Sequence, residues 1–399
     1  MERRQASAIV GVLLGVVGAI STFTWVTAAQ RGGGGGRGGA AALAEPFVGV
    51  TTNGTVQPHL FPVRATGVST RPVRDAATRF LSSLSADQRG RTAFAADDLE
   101  WRDWNNVHRY ARKGVNFKEL TAAQRERGFD LLRASLSARG FEKARNVMRL
   151  NGYVADVLKN PEEYGEFLYH LTVMGVPSDR EPWGWQLDGH HLIINYFVLG
   201  DQVVMTPTFM GSEPVSASTG QYAGTRVLTE EQDLGLALAT SLTPDQRRVA
   251  VIQPAKTANN SLAQAFRDNL VLDYAGIRAD ALTPAQRTQL LAVIGEYVRN
   301  MNDGHAKIRL LDIEARLNET YFAWIGDIAP DAVFYYRVHS PVVLIEFDHQ
   351  TPVALPGERV PQRNHVHTVV RTPNGNDYGK DLLRQHYQQH ANDPAHGHK

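Results

Sequence analysis

The stretch Trp183-Gly-Trp-Gln-Leu-Asp-Gly-His-His-Leu-Ile-Ile-Asn-Tyr-Phe197 has the pattern of two apolar β-strands joined by a tight turn. Asp188-Gly189 separates the two apolar runs, and both residue types tolerate the positive φ angles of a two-residue hairpin turn. A turn there pairs Leu187 with His190 and places alternate side chains, including Trp183 and Trp185, in a core. The opposite face then carries the polar residues, which are Gln186, His191 and Asn195.

A matching pattern of strand, turn and strand recurs later in the chain, from Phe334 to Asp348. In both places a short apolar run ending in glycine precedes the hairpin. Carrying the same register over aligns Arg337 with Gln186 and Glu346 with Asn195. Polar positions are therefore expected on equivalent faces of the two hairpins, as in a site between related lobes; the alternative is that both faces are simply solvated.

Four short segments share one form, in which leucine and then serine or threonine precede two further residues and Gln-Arg. The hydroxyl can cap a helix N-terminus while the glutamine reaches back to the cap residue, which is a capping box. The segments are Leu84–Arg89, Leu120–Arg125, Leu242–Arg247 and Leu282–Arg287. Each predicts the start of a helix.

The recurrence of helix starts and hairpins predicts an α+β fold made of two internally duplicated lobes, residues 75–225 and 230–385. In each lobe helices come first and an antiparallel hairpin follows, and the lobes pack as one compact domain. The alternative is that the similar segments arose independently, because capping boxes and hairpins are common local structures.

The two ends of the chain differ in composition from the lobes. Residues 1–29 combine Arg3 and Arg4 with an apolar run, which predicts a cleaved signal peptide or, alternatively, an N-terminal membrane anchor. The arginine pair leaves a twin-arginine route open beside the general one. Residues 30–70 begin with a glycine run and predict a flexible linker, and residues 386–399 predict a histidine-rich polar tail. The protein is therefore expected to be exported to the periplasm or the exterior.

Composition excludes several classes of function. The chain has 42 basic and 41 acidic residues and a formal charge of +1. It therefore lacks the excess of basic charge that would indicate a nucleic-acid partner. It has no cysteine, which excludes disulfides, thiolate metal sites and a cysteine nucleophile. The common signatures of hydrolases, kinases and dinucleotide-binding enzymes are also missing from the sequence. Any metal ion must have nitrogen or oxygen ligands.

The segment His365-Val366-His367 is the best candidate for metal binding, because alternate residues of a strand share a face and two imidazoles can then reach one ion. His191 is the candidate ligand from the first hairpin, whereas His190 is expected to be a hydrogen-bonded core residue. Further candidates of the right type are His339 and His349. The expected cofactor is one divalent transition metal, whose identity the sequence leaves open.

Other polar residues near the hairpins are candidates for catalysis and substrate binding. Glu346 or Asp348 is expected to act as general base, and Arg337 or Arg371 to stabilise developing negative charge. The residues expected to contact substrate are Trp183, Trp185, Gln186, Asn195, Glu213, Asn374, Asn376 and Asp377.

Three of these segments, Trp183–His191, Pro207–Pro214 and His365–Gly379, resemble a widespread bacterial and fungal family of domains of unknown function, DUF3500. The resemblance extends over about residues 75–390. It implies that these segments are family hallmarks, but the family supplies no activity that can be carried over.

The sequence thus predicts an exported, metal-dependent hydrolase that acts on a small-molecule or cell-envelope substrate between two lobes. The alternative is a non-catalytic extracytoplasmic ligand-binding protein, and a structural envelope protein is a third hypothesis. Contact with a membrane is expected through residues 1–29 alone, if they are not removed.

Overall fold

The computed structural model of the chain describes residues 35–391, which belong to one compact unit. The predicted signal peptide or anchor therefore lies outside the described residues, as does the start of the predicted linker. Among residues 35–391, no helix combines the length and the apolar character needed to cross a bilayer.

Ten α-helices form in the described part of the chain. They are α1 Gly35–Ala44, α2 Arg71–Ser83, α3 Ala86–Thr92, α4 Ala122–Ser135, α5 Ala138–Leu158, α6 Thr229–Ser241, α7 Pro244–Ala250, α8 Pro284–Val298, α9 Asp303–Glu314 and α10 Lys380–Gln389.

Within residues 35–391, thirteen strands form one sheet. They are β1 Ala93–Phe94, β2 Val115–Asn116, β3 Tyr169–Met174, β4 Trp183–Gly189, β5 Leu192–Leu199, β6 Gln202–Val204, β7 Thr208–Ser212, β8 Val251–Gln253, β9 Ile277–Arg278, β10 Tyr321–Gly326, β11 Phe334–His339, β12 Leu344–Gln350 and β13 Gln362–Arg371.

The order of the main strands is β1-β3-β4-β5-β7-β13-β12-β11-β10-β8, with β2, β6 and β9 paired at the sides. The ladders are antiparallel except where β1 meets β3 and β8 meets β10. Strands β7 and β13 pair at the centre, so the first and second halves of the chain share one continuous sheet. The α+β class and the single domain are confirmed.

The four predicted helix starts are confirmed as capping boxes, at the N-termini of α3, α4, α7 and α8. The glutamines of successive boxes also bind each other. Gln124 Nε2 donates to Gln88 Oε1 over 2.9 Å, and Gln286 Nε2 donates to Gln246 Oε1 over 2.8 Å. Each pair of helix starts is therefore tied together by side chains as well as by packing.

The turn of the first hairpin differs from the prediction of Asp188-Gly189, because the last pair of the ladder is Gly189 with Leu192. Asp188 is held in β4 by a buried ion pair with Arg112 at 2.9 Å. A Cβ on Gly189 would lie 2.1 Å from the ring of Tyr169, so this glycine serves close packing rather than the turn. His190 and His191 form the turn instead.

The error in the turn leaves the predicted faces unchanged, because the pairing moves by an even number of residues. Gln186 pairs directly with Asn195 in the first hairpin, and Arg337 pairs directly with Glu346 in the second. In each hairpin the two predicted polar positions are therefore direct cross-strand partners.

The polar face of the sheet is covered by two long loops, residues 95–114 and 254–276. Gln186 Nε2 donates to the carbonyl of Trp101 over 3.0 Å, and Glu346 accepts from the backbone N–H of Ala263 over 2.8 Å. A buried ion pair between Arg102 and Asp268, at 2.7 Å, joins the two loops. The polar face is thus buried and hydrogen-bonded rather than solvated.

The predicted boundaries at both ends need correction. Within the predicted linker, Val50 is fully buried and Thr51 bridges to Val271, so the chain packs against the domain well before residue 70. At the other end, α10 extends through Gln389 and His386 is buried, so the polar tail does not begin at residue 386. Residues 392–399 lie outside the described part.

Candidate metal centre

Three histidine side chains meet on the polar side of the central strands. His191 comes from the β4–β5 turn, and His365 and His367 come from alternate positions of β13. Their Nε2 atoms are separated by 3.1 Å between His191 and His367, 3.3 Å between His191 and His365, and 3.0 Å between His365 and His367. All three side chains are buried, and together they can hold a metal ion.

The spacing of the three nitrogens fits a tetrahedral ion. Nitrogen ligands at about 2.0–2.1 Å from zinc lie about 3.3 Å from each other. A set of three neutral imidazoles that direct Nε2 to one point cannot satisfy all three nitrogens by mutual hydrogen bonds, since each ring carries a single N–H. Three histidines also leave one position of a tetrahedral ion free, as in catalytic zinc sites.

The outer contact of His365 fixes its tautomer. Its Nδ1 lies 2.8 Å from the carbonyl oxygen of Thr351, which can only accept, so Nδ1 carries the proton and donates. Its Nε2 therefore has a free lone pair that points toward the other two rings. Glu213 Oε2 lies 3.4 Å from the same Nδ1. Metal-binding histidines commonly have such an oxygen partner on the second nitrogen.

Glu213 also organises the loop that contains Thr351. Its carboxylate accepts hydrogen bonds from the backbone N–H groups of Val353, Ala354 and Leu355, at 2.7–3.1 Å. One buried carboxylate, 3% exposed, thus connects the β12–β13 loop to a ligand of the cluster.

His191 is held in an unusual backbone conformation. Its φ is 62°, in the left-handed region that non-glycine residues seldom adopt, at a cost of about 1 kcal/mol or more. The ring of His190 stacks on it with centroids 4.0 Å apart, and the His191 carbonyl accepts from Gly211 N over 2.8 Å. His190 Nδ1 lies 2.8 Å from Asn151 Oδ1 in a buried contact, as expected for a core histidine.

The surroundings keep the cluster unprotonated. Burial lowers the pKa of His191 and His367 well below the ordinary value, and the neighbouring imidazoles lower both further. Burial also lowers the pKa of His365, although the nearby Glu213 opposes that shift. Neutral imidazole is the form that binds a metal ion.

Two of the five predicted ligands lie elsewhere. His339 is at the end of β11, where its ring is 4.7 Å from that of Tyr274. His349 Nδ1 accepts from Phe334 N over 2.9 Å, and its Nε2 lies 3.0 Å from Gln232 Oε1. The cluster found among the described residues consists of the other three.

The two predicted carboxylates lie on the same face as the cluster. Asp348 is directly opposite His367 in the β12–β13 ladder. It pairs with Lys256 Nζ at 2.9 Å, and burial raises its pKa to about 6. Glu346, two residues earlier, accepts from Tyr335 Oη over 2.7 Å and from the backbone of the covering loop.

The two predicted arginines contact covering loops rather than the histidines. Arg371 donates to the carbonyls of Ala263 and Gln264, at 2.7 and 2.8 Å, and pairs with Asp377 at 3.0 Å. Arg337 Nη2 donates to the Asp273 carbonyl over 3.3 Å. Both guanidinium groups therefore hold loops in place.

Most predicted substrate-binding residues are buried in structural contacts. Trp183 Nε1 donates to the Ser178 carbonyl, the Trp185 ring stacks on that of Tyr196, and Asn374 Nδ2 donates to the Pro341 carbonyl. The residues with such roles are Trp183, Trp185, Gln186, Asn195, Asn374, Asn376 and Asp377. Glu213 is the member of the set that touches the histidine cluster.

Sequence reasoning missed Gly211, Thr351 and Lys256. Gly211 pairs with His367, and a Cβ there would lie 3.1 Å from the rings of both His191 and His367. Its sequence signal was the single glycine within Thr208–Ser212, since a glycine inside a strand often marks a close approach. Thr351 contacts His365 through its backbone carbonyl, and Lys256 reaches Asp348 from a loop distant in sequence. The sequence has no pattern that indicates either contact.

A polar cavity of about 400 Å³ reaches the neighbour of the cluster, His190, and its lining contains none of the three cluster histidines. Its lining includes His190, the residue whose ring stacks on His191, together with His108, Arg112 and Glu163. His190 therefore contacts both a ligand residue of the cluster and a space large enough for a small polar molecule.

Comparison with known proteins places the chain in a family. A family model described as "Protein of unknown function (DUF3500)" matches residues 66–380, which is most of the chain. No curated protein and no solved structure matches the chain.

Proposed function

The chain belongs to the DUF3500 family, and from its own geometry we propose that it is a metal-dependent hydrolase. The observation that supports this most strongly is the convergence of three histidine Nε2 atoms within 3.3 Å of each other. A divalent transition metal held by His191, His365 and His367 would retain a free position for water or substrate.

The proposed chemistry divides between the ion and the chain. When bound, the ion would supply a Lewis acid and lower the pKa of a water molecule at its free position. Asp348 is the proposed general base, because it is opposite His367 in the ladder and burial raises its pKa to about 6. Lys256 keeps this carboxylate ionised at neutral pH through their 2.9 Å contact. Substrate would approach through the polar cavity lined by His190.

A second candidate is a binding protein without catalysis. The observation that favours it is burial, since the three histidines are only 3–7% exposed. A site closed in this way suits an ion that is retained for structure or carried as a ligand. The two candidates share the histidine cluster and differ in whether substrate reaches it.

We also propose that the protein is exported and that its two lobes arose by internal duplication. Export would follow from the apolar, arginine-led residues 1–29. An internal duplication, with lobes at 75–225 and 230–385, is supported by the matching order of elements on either side of the β7–β13 pair. It is further supported by the two pairs of linked capping boxes.

The first experiment measures metal content of the untagged full chain by inductively coupled plasma mass spectrometry. We expect about one equivalent of a transition metal. A His365→Ala, His367→Ala double variant should lose that equivalent, whereas the control His339→Ala should keep it. Because all three proteins retain residues 392–399, ions bound by tail histidines cancel in the comparison. If the double variant keeps both its metal and its thermal stability, the proposed site is wrong.

The second experiment separates catalysis from binding. Metal-loaded protein is incubated with panels of esters, phosphoesters and peptides, and products are identified by mass spectrometry. Turnover that is lost in Asp348→Asn, while metal content stays at one equivalent, supports the hydrolase. A protein that holds its metal but converts no substrate in the panel supports the binding protein.

A further inference from the structure

The central strands carry a second feature on the face opposite the histidines. Side chains alternate along β7 and β13, so Met210 and Thr368 point away from the side that bears Gly211 and His367. On that far side lies a cavity of about 210 Å³, with Met210 and Thr368 in its lining. An apolar cavity of about 150 Å³ is sufficient for benzene, so this one can hold a somewhat larger molecule.

Most of the cavity wall is apolar and adaptable. Three methionines line it, Met205, Met210 and Met301, with Phe61 and Val343. All five side chains are buried. Methionine-rich walls accommodate flexible aliphatic groups, because the unbranched side chain repacks at low cost.

The lining of the cavity includes Arg309, a guanidinium group with no ion-pair partner among the described residues. Arg309 donates to the Val342 carbonyl and to Thr372 Oγ1, and within residues 35–391 it makes no ion pair. The two acidic groups that act on it from further away are already paired, Asp312 with Arg64 and Asp377 with Arg371. Burial lowers the pKa of Arg309 to about 10, so it remains charged at neutral pH.

Two buried oxygen atoms in the same lining lack a hydrogen-bond partner in the described part of the chain. They are Glu231 Oε2 and Asn300 Oδ1, on residues that are 1% and 4% exposed. The other oxygen of Glu231 is paired with Lys143. Leaving buried acceptors unmatched costs about 1–3 kcal/mol each, which a ligand with a hydroxyl donor would recover.

From this arrangement we propose that the cavity is a binding site for a small amphipathic hydroxy-carboxylate. The carboxylate binds Arg309, the aliphatic body packs on the methionines, and the hydroxyl donates to Glu231 or Asn300. The site lies on the opposite face of the sheet from the histidine cluster, so it does not depend on a metal ion.

Isothermal titration calorimetry of the full chain tests the proposal with four probes that share one chain length. The probes are octanoate, ω-hydroxyoctanoate, octanol and octylamine. We expect octanoate to bind with one-site saturation, ω-hydroxyoctanoate to bind more tightly, and octylamine not to bind. Arg309→Gln should weaken octanoate binding about tenfold or more, whereas Arg149→Gln, at a half-buried position of helix α5 outside the cavity lining, should leave it unchanged.

The comparison among probes tests the proposed site on the unmodified chain, so the test remains valid even if Arg309→Gln fails to fold. Absence of saturable octanoate binding, or equal binding of octanoate and octylamine, would overturn the proposal. So would unchanged octanoate affinity in a folded Arg309→Gln protein. The His365→Ala, His367→Ala variant should bind octanoate as the unmodified chain does, and loss of binding in that folded variant would refute a separate site.

Discussion

Gly211 lies directly opposite His367 in the β7–β13 ladder, and its missing side chain lets two imidazoles meet. A Cβ at this position would be 2.7 Å from the Val366 carbonyl oxygen and 3.1 Å from the rings of His191 and His367. Since its backbone is held on both sides by the sheet, the glycine cannot move aside. The geometry of the cluster therefore depends on a residue with no functional group.

We expect Gly211→Ala to weaken metal binding about tenfold or more and to lower the free energy of unfolding by about 1–3 kcal/mol. The cause is displacement of the two rings by the added methyl group. Competition with a chromophoric chelator measures the first quantity and urea unfolding the second.

The matched control is Gly90→Ala, because nothing lies within 4 Å of a Cβ built on Gly90 in helix α3. That change should leave metal affinity unaltered and should stabilise the helix slightly. Equal metal affinity for Gly211→Ala and the control would contradict the role given to Gly211.

Glu213→Ala should release the β12–β13 loop. The variant removes four hydrogen-bond contacts from the backbone of residues 353–355 and the contact with His365. We expect faster cleavage within residues 351–361 in limited proteolysis, and about tenfold weaker metal binding. The exposed Glu358 of the same loop provides a control, since Glu358→Ala should change neither measurement. Proteolysis at the same rate in both variants would show that Glu213 does not hold the loop.

Because the capping-box glutamines bind each other, we expect their contributions to the free energy of unfolding to be coupled. Gln286 Nε2 donates both to the Ser241 carbonyl and to Gln246 Oε1, and its Oε1 accepts from Thr283 N. Gln286→Ala should therefore lower the free energy of unfolding by about 2 kcal/mol, more than a solvent-exposed cap. In a double-mutant cycle with Gln246→Ala, the coupling energy should be about 0.5 kcal/mol or more. Additive effects would mean that the link between the glutamines contributes nothing.

His339 predicts a pH effect away from the proposed site. Burial lowers the pKa of His339 to about 3, whereas the pKa of a histidine in the unfolded chain is about 6.5. Between these values the unfolded chain binds the extra proton, so His339 lowers stability as the pH falls. In His339→Phe this loss should disappear, and its stability relative to the unmodified chain should rise by up to about 1.4 kcal/mol per pH unit from about 6 to 4. Urea unfolding at several pH values measures the difference, and parallel profiles would contradict it.

The sequence predicted those features that depend on neighbouring residues. The capping boxes at α3, α4, α7 and α8 use atoms three residues apart, so their pattern is visible in one line of sequence. The common face of Gln186 and Asn195 followed from alternation along the strands, although the misplaced turn paired Gln186 with His191 instead of Asn195. The turn was misplaced because Arg112 and Tyr169, both distant in sequence, determine how Asp188 and Gly189 are used.

The candidate site was predicted in part for the same reason. His365 and His367 are two apart on a strand, so their common face could be read locally. That His191 joins them, while His339 and His349 do not, depends on how β7 and β13 meet at the centre of the sheet. The covering loops have no periodicity, and their contacts with Glu346 and Arg371 could not be anticipated.

One of the three histidines lies in the β4–β5 turn and two lie in β13, so a fragment of the chain can lack part of the ligand set. A cut in the segment between β7 and α6, residues 213–228, would leave His191 with the first piece and both His365 and His367 with the second. Neither piece alone would have the full ligand set, and each would expose an unpaired central strand. Recovery of the complete ion site would then require the two pieces to reassociate through the centre of the sheet, so ion uptake would report directly on fragment complementation.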